Sequence, residues 1–116
     1  RTQFENVAYV NLDDNPRMRE QFELGYDIPR IVSAIQFETG EVVSEGGTLI
    51  VLDEIQACPK ALTSLKYFCE DAPGYAVAAA GFSAGIVFAI FYDRRLRPAR
   101  FWASPCTREA GTPSGR

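Results

Sequence analysis

Two adjacent acids, Asp53 and Glu54, close an uninterrupted apolar run, Leu49-Ile-Val-Leu52, which follows Gly46-Gly47 and Thr48. A run of this length with no polar break reads as a strand buried on both faces, as in a parallel sheet. Acids at the C-terminal end of such a strand lie where open α/β sheets bind ligands. One carboxylate there can support Mg²⁺ on nucleotide phosphates, and its neighbour can orient an attacking water. The plainer alternative is a core strand that ends in two solvated acids, and the run alone leaves both open.

The elements that must position these acids can be read on either side of them. Val7-Ala-Tyr-Val-Asn-Leu12 is a short, mostly apolar strand that gives way to Asp13-Asp14-Asn15-Pro16. Asn as N-cap with Pro at the first helical position starts a helix, expected to run to about Leu24 and stop at Gly25. A second helix opens near Asp27 with Pro29, carries Ile31, Ile35 and Phe37 as its apolar side, and ends at Gly40. The polar stretch 41–47 leads into the central strand. Pro59 starts a third helix with Leu62, Leu65 and Cys69 on one face, which ends before Pro73-Gly74. Tyr75-Ala-Val-Ala-Ala-Ala80 reads as a further strand with Gly81 at its end. Strands alternating with helices argue for an α/β layer built on a parallel sheet. No internal repeat is present.

Composition bounds the rest. The chain has 116 residues, 47% hydrophobic and 23% charged, which suits one globular domain and is small for a complete nucleotide-hydrolysing machine. It begins at Arg1 with no basic-then-apolar signal segment, so a piece of a longer or processed protein is expected. Cys58, Cys69 and Cys106 form neither an even framework nor a metal-like spacing, and there is no His. On one helix, Cys58 and Cys69 would stand about 16 Å apart, too far for a disulfide. A reducing cytoplasm is the expected compartment. Charge is uneven: residues 1–92 carry 6 basic and 13 acidic side chains, whereas residues 93–116 carry 6 basic, all Arg, and 2 acidic. That shift, with a tail rich in Pro, Gly, Ser and Thr, marks a boundary near Asp93.

With these elements in place, Tyr9-Val-Asn-Leu-Asp-Asp14, Leu49-Ile-Val-Leu-Asp-Glu-Ile-Gln56, Pro59 and Leu65-Lys66 together resemble the prokaryotic AAA-type ATPases that carry a DUF4143 C-terminal region. The resemblance spans about residues 5–81. Asp-Glu after an apolar strand is common among NTPases. Asp-Glu-Ile-Gln, with Leu-Asp-Asp upstream and Pro and Leu-Lys downstream, is far more specific. The resemblance implies a partial P-loop-NTPase-like parallel sheet with flanking helices, and ATP and Mg²⁺ as ligands of the intact parent. It makes Asp53 the Walker B acid that helps bind the nucleotide by supporting Mg²⁺, and Glu54 the catalytic acid that orients or activates water. Mg²⁺ needs few protein carboxylates, so one Asp suffices. Gln56 belongs to the signature without an assigned role. Asp13 and Asp14 match too, and their place before a helix favours capping.

Two departures qualify the resemblance. No G-x-x-x-x-G-K-[ST] loop occurs in the chain, so the phosphate cradle and its Lys are missing. The expectation is an ATPase-domain fragment, the part that follows the Walker A helix, inactive alone. The second departure is at Gly81-Phe-Ser-Ala-Gly85, where the family continues with Gly-Ser-Leu-Leu-Gly. One coding of the five residues, GGC-TTC-TCT-GCT-GGG, becomes that family sequence on loss of a single T. A one-base frameshift at Phe82 is therefore expected, which would make residues 1–81 the partial ATPase domain and residues 82–116 an apolar segment and an Arg-rich tail without a selected fold. Ser83 is then a poor sensor candidate.

A rival of another class is a small membrane-anchored or interaction protein without catalysis. Tyr75 to Tyr92 is free of charge, would span about 27 Å as a helix, contains Gly81-x-x-x-Gly85, and is followed by Arg94, Arg95, Arg97 and Arg100. The Arg-rich tail carries no nucleic-acid-binding motif, so a solvated, disordered tail with no specific nucleic-acid partner is expected.

Overall fold

The computed structural model describes residues 4–93. Its elements are β1 (Asn6–Asn11), α1 (Pro16–Glu23), α2 (Ile28–Thr39), β2 (Thr48–Asp53), a single 3-10 turn (Ile55–Ala57), α3 (Pro59–Asp71), β3 (Ala76–Ser83) and β4 (Ile86–Tyr92). The four strands form one sheet in the order β1-β2-β3-β4. β1, β2 and β3 are parallel, and β4 returns antiparallel to β3. The α/β class and the parallel sheet with flanking helices are what the alternation of elements predicts.

Each helix starts where local chemistry dictates. Asn15 Oδ1 accepts the Met18 N–H at 3.0 Å, and Pro16, which has no N–H to satisfy, opens α1. The cap is thus Asn15; neither Asp13 nor Asp14, both exposed in the turn before it, takes that place. Asp27 caps α2, and Gly40 ends it in the left-handed region at φ 74°. Arg17 of α1 reaches Glu38 of α2 through Nε at 2.8 Å and Nη2 at 3.1 Å.

The crossovers decide the layering. β1 to β2 runs through α1 and α2, and β2 to β3 through α3. Both steps move in the same direction along the sheet, and such crossovers share one hand, so the helices gather on one face. That face is the core: Ala8 and Val10 of β1, Ile50 and Leu52 of β2, and Val77 and Ala79 of β3 pack with Met18, Phe22, Ile31, Ile35, Leu65 and Phe68. Burial of a large side chain such as Phe22 or Phe68 contributes about 1.5–3 kcal/mol.

The opposite face is open. Val7 and Tyr9 are exposed, and Leu49, Val51 and Asp53 on the same side of β2 are half-buried. The expectation that β2 is buried on both faces is therefore corrected to one buried face and one partly covered one. Two helix faces are corrected as well. Phe37 is 79% exposed, since it projects away from the side shared by Ile31 and Ile35. Leu62 of α3 is 39% exposed, and the buried face is Ala61, Ser64, Leu65, Phe68 and Cys69.

The uncharged stretch 75–92, read in the rival as a membrane helix, folds as two antiparallel strands. Ala84 (φ 54°) and Gly85 (φ 79°) turn the chain between them. Positive φ at both central residues is the pattern of the tight hairpin turn whose twist matches the strands. Among the described residues no helix is long and apolar enough to cross a membrane. The Arg-rich tail, residues 94–116, lies outside the described residues.

Candidate functional site

Asp53 and Glu54 stand at the C-terminal edge of the parallel strands, at the point where β2 ends and the chain turns into the 3-10 segment. Asp53 is the last residue of β2 and pairs in register with Asn11, the last of β1. Its carbonyl accepts the Leu12 N–H at 2.9 Å, so the Leu12-Asp13-Asp14 segment is fastened to the acid-bearing strand just beyond the sheet. The Asn11 side chain then accepts the Asp13 N–H at 2.9 Å and shapes the exit from β1.

Both oxygens of the Asp53 carboxylate are engaged. Oδ1 accepts the Glu54 N–H at 2.9 Å, and Oδ2 accepts the hydroxyl proton of Tyr9. Tyr9 lies on the open face of β1, and its phenol is pushed above the ordinary tyrosine value. The hydrogen bond to Asp53 is the main cause, followed by slight desolvation and then by the negative charges of Asp53, Asp14 and Glu54. Each carboxylate oxygen can accept more than one bond, so Asp53 keeps capacity for a hard cation while its plane is fixed. Tyr9 is the residue that sequence reasoning missed. Its neighbours in the chain mark the strand, but its reach to Asp53 depends on the β1–β2 register.

Glu54 is held differently. Its backbone is in the left-handed region (φ 54°, ψ 46°), an uncommon conformation for a residue with a side chain. This single residue redirects the chain from the strand into the 3-10 turn, which Ile55, fully buried, pins to the core. The Glu54 carboxylate accepts from Gln56 Nε2 at 2.8 Å. The Gln56 Oε1 in turn accepts the Phe82 N–H of β3 at 3.0 Å. Among the described residues, neither Asp53 nor Glu54 has a cation within ion-pair distance, whereas Arg17 pairs with Glu38 and Lys60 with Glu23.

The arrangement suits oxygen coordination of one Mg²⁺. Asp53 offers a hard carboxylate, fixed in orientation, and no group of three or more His, Cys, Asp or Glu able to form a closed protein cage occurs among the described residues. Mg²⁺ ordinarily takes one or two carboxylates together with phosphate oxygens and waters. A separate groove of about 710 Å³, lined among others by Tyr26, Gln36, Glu45, Asp71 and Tyr75, lies near the opposite, N-terminal edge of β2 and β3. It is away from the acids, whose edge is where ligands of open α/β sheets bind.

A family model described as an AAA domain matches residues 1–90. No curated protein and no solved structure matches the chain.

Proposed function

Because the chain belongs to the AAA domain family, we propose that Asp53 and Glu54 are the metal-supporting and water-orienting acids of an ATP-hydrolysing site. The observation that carries this is their joint placement at the carboxyl edge of β2, one clamped by Tyr9 and the Glu54 N–H, the other clamped by Gln56. Asp53 would hold Mg²⁺, which when bound neutralises charge on the nucleotide phosphates. Tyr9 keeps the Asp53 carboxylate turned to the open face. Glu54 accepts a hydrogen bond from the water that attacks the γ-phosphate, so that water is oriented before reaction.

The phosphate cradle is the other half of such a site. The 116 residues contain no G-x-x-x-x-G-K-[ST] loop, and backbone N–H groups with a Lys in that loop supply most of the contact to the β- and γ-phosphates. The chain by itself therefore contributes the acid strand of an ATPase and binds ATP·Mg²⁺ weakly. Calorimetry with ATP·Mg²⁺ on this chain tests that part, with no binding tighter than about millimolar expected; a micromolar site would overturn it. The acid assignment is tested in a polypeptide that carries this chain and hydrolyses ATP. Glu54→Gln is expected to keep nucleotide bound and slow turnover about 10²- to 10⁴-fold. Asp53→Asn is expected to raise the Mg²⁺ concentration needed for half-maximal rate. Turnover unchanged by Glu54→Gln sinks the assignment.

The frameshift at Phe82 stays part of this reading. Its support is the coding of residues 81–85; exposure does not separate the two sides, since Phe37 at 79% is as exposed as Val87 at 77%. Against it stands the family match, which continues past Gly81 to residue 90. The gene sequence decides: a downstream in-frame reading with no family-like continuation removes the frameshift.

A further inference from the structure

Gln56 joins the turn after β2 to the end of β3 at the acid edge. Its amide bridges the Glu54 carboxylate, 2.8 Å from Nε2, and the backbone of β3, whose Phe82 N–H lies 3.0 Å from Oε1. Only one orientation of the amide satisfies both partners: the carboxylate needs a donor and the N–H needs an acceptor. Space is reserved for it as well. A Cβ built on Gly81 would stand 2.6 Å from Gln56 Oε1, 3.0 Å from Phe88 Cζ and 3.1 Å from Ile55 Cγ2, so any side chain at this position must displace the amide.

We propose that Gln56 is a positioning residue that fixes the Glu54 carboxylate against the C-terminal end of β3, with Gly81 as the gap that admits it. The inference rests on Glu54 being the water-orienting acid. A half-exposed glutamate left alone samples many rotamers, whereas a group that orients a water must be held to within about 0.5 Å. Gln meets the demand that its nearest analogues do not. Glu at this position offers no donor to Glu54, Asn is one methylene short of spanning from the 3-10 turn to Phe82, and Ala does neither. The bridge also makes the Phe82 end of β3 and the Glu54 carboxylate move together.

Amide hydrogen exchange and side-chain carboxyl ¹³C spectra of the 116-residue chain test the link without any nucleotide. Gln56→Ala is expected to speed exchange at the Phe82 amide about tenfold, the loss of one hydrogen bond of ordinary strength, and to move the Glu54 carboxyl resonance. Amides in the middle of β2 should keep their protection. Gln56→Glu is expected to retain Phe82 protection, because an acceptor remains, while still moving the Glu54 resonance. Gly81→Ala should reproduce Gln56→Ala. An unmoved Glu54 resonance in Gln56→Ala overturns the proposal, and so does a uniform loss of protection across β2, which would make Gln56 a support of the fold only. Turnover separates this from the catalytic assignment. If Glu54→Gln leaves ATP hydrolysis intact, the assignment of Glu54 fails while the bridge stands. If Glu54→Gln abolishes hydrolysis but Gln56→Ala does not lower kcat, the positioning role fails alone.

Discussion

The phenol of Tyr9, on β1, donates its proton to Oδ2 of Asp53, the last residue of β2. In register Tyr9 sits beside Val51, two residues before Asp53 on the same face, so the contact is a diagonal one that a long aromatic side chain can span. Because the bond is made by the neutral phenol, it holds Tyr9 above the ordinary tyrosine value near 10. A group raised in the folded state adds stability that is fully present below its unfolded value and is lost as pH rises through the folded one. The part of the stability that follows from the raised Tyr9 phenol is therefore constant through neutral pH and is lost in alkali. Ultraviolet difference titration of the tyrosines is expected to show two phenols ionising late, Tyr9 and the burial-raised Tyr75, and Asp53→Asn should bring only that of Tyr9 back toward the ordinary value. A titration curve unaltered by that substitution sinks the coupling.

Core and surface aromatics should separate cleanly. Phe68 is buried, packed between the helices and the sheet and set edge-on to Tyr75 with ring centroids 6.3 Å apart. Phe68→Ala is expected to destabilise by about 3–5 kcal/mol, enough to unfold much of a domain this small. Phe37→Ala, at a site 79% exposed, should change stability by no more than about 0.5 kcal/mol. Urea unfolding of the two variants checks both. Equal losses would mean that Phe37 meets a surface it does not touch in the isolated fold.

The turn between β3 and β4 is built with one unsuitable residue. Ala84 holds φ 54° beside Gly85 at φ 79°, and a two-residue turn of this kind favours Asn or Asp at the first place because their side chains tolerate the left-handed region. Ala84→Asn is expected to stabilise the chain by about 0.5–1 kcal/mol, read as a higher urea midpoint at unchanged slope. A drop in midpoint would argue against the hairpin.

What the sequence made legible was what depends on neighbours along the chain. Asn15-Pro16, Asp27 before Pro29, and Pro59 mark the three helix starts because caps and proline act within one turn. The parallel order of β1, β2 and β3 follows from the alternation of elements. Legibility ends where register or twist decides. The run 75–92 carries no charge and no Asn or Asp, so nothing local announces the reversal at Ala84-Gly85. Asp53 and Glu54 stand out as a pair. Tyr9, which bonds Asp53, is 44 residues away, and Phe82 is 26 residues from Gln56, the neighbour that holds Glu54; only the packed sheet brings Tyr9 and Phe82 in. The exposed Leu62 and Phe37 show the same limit: apolar spacing alone does not say which side of a helix the sheet will cover.

Glu54 itself allows the sharpest separation of stability from function. Its left-handed backbone (φ 54°, ψ 46°) costs a residue with a Cβ about 1–2 kcal/mol, and Gly adopts it freely. Glu54→Ala and Glu54→Gly lose the same contact with Gln56 and differ only in whether a Cβ must be accommodated. Gly also has more freedom to lose on folding, which offsets part of the relief. Glu54→Gly is expected to be more stable than Glu54→Ala by about 0.5–1 kcal/mol, the reverse of the order found inside a helix or strand. Paired urea titrations give the difference directly. Both variants lack the carboxylate and, on the proposed role of Glu54, should fail equally in a polypeptide that carries this chain and hydrolyses ATP. If Glu54→Ala proves the more stable of the two, the strained turn after β2 is not a feature of the folded chain. The expected order instead places backbone strain at the residue proposed to orient the water, held there by the buried Ile55 and the end of β2.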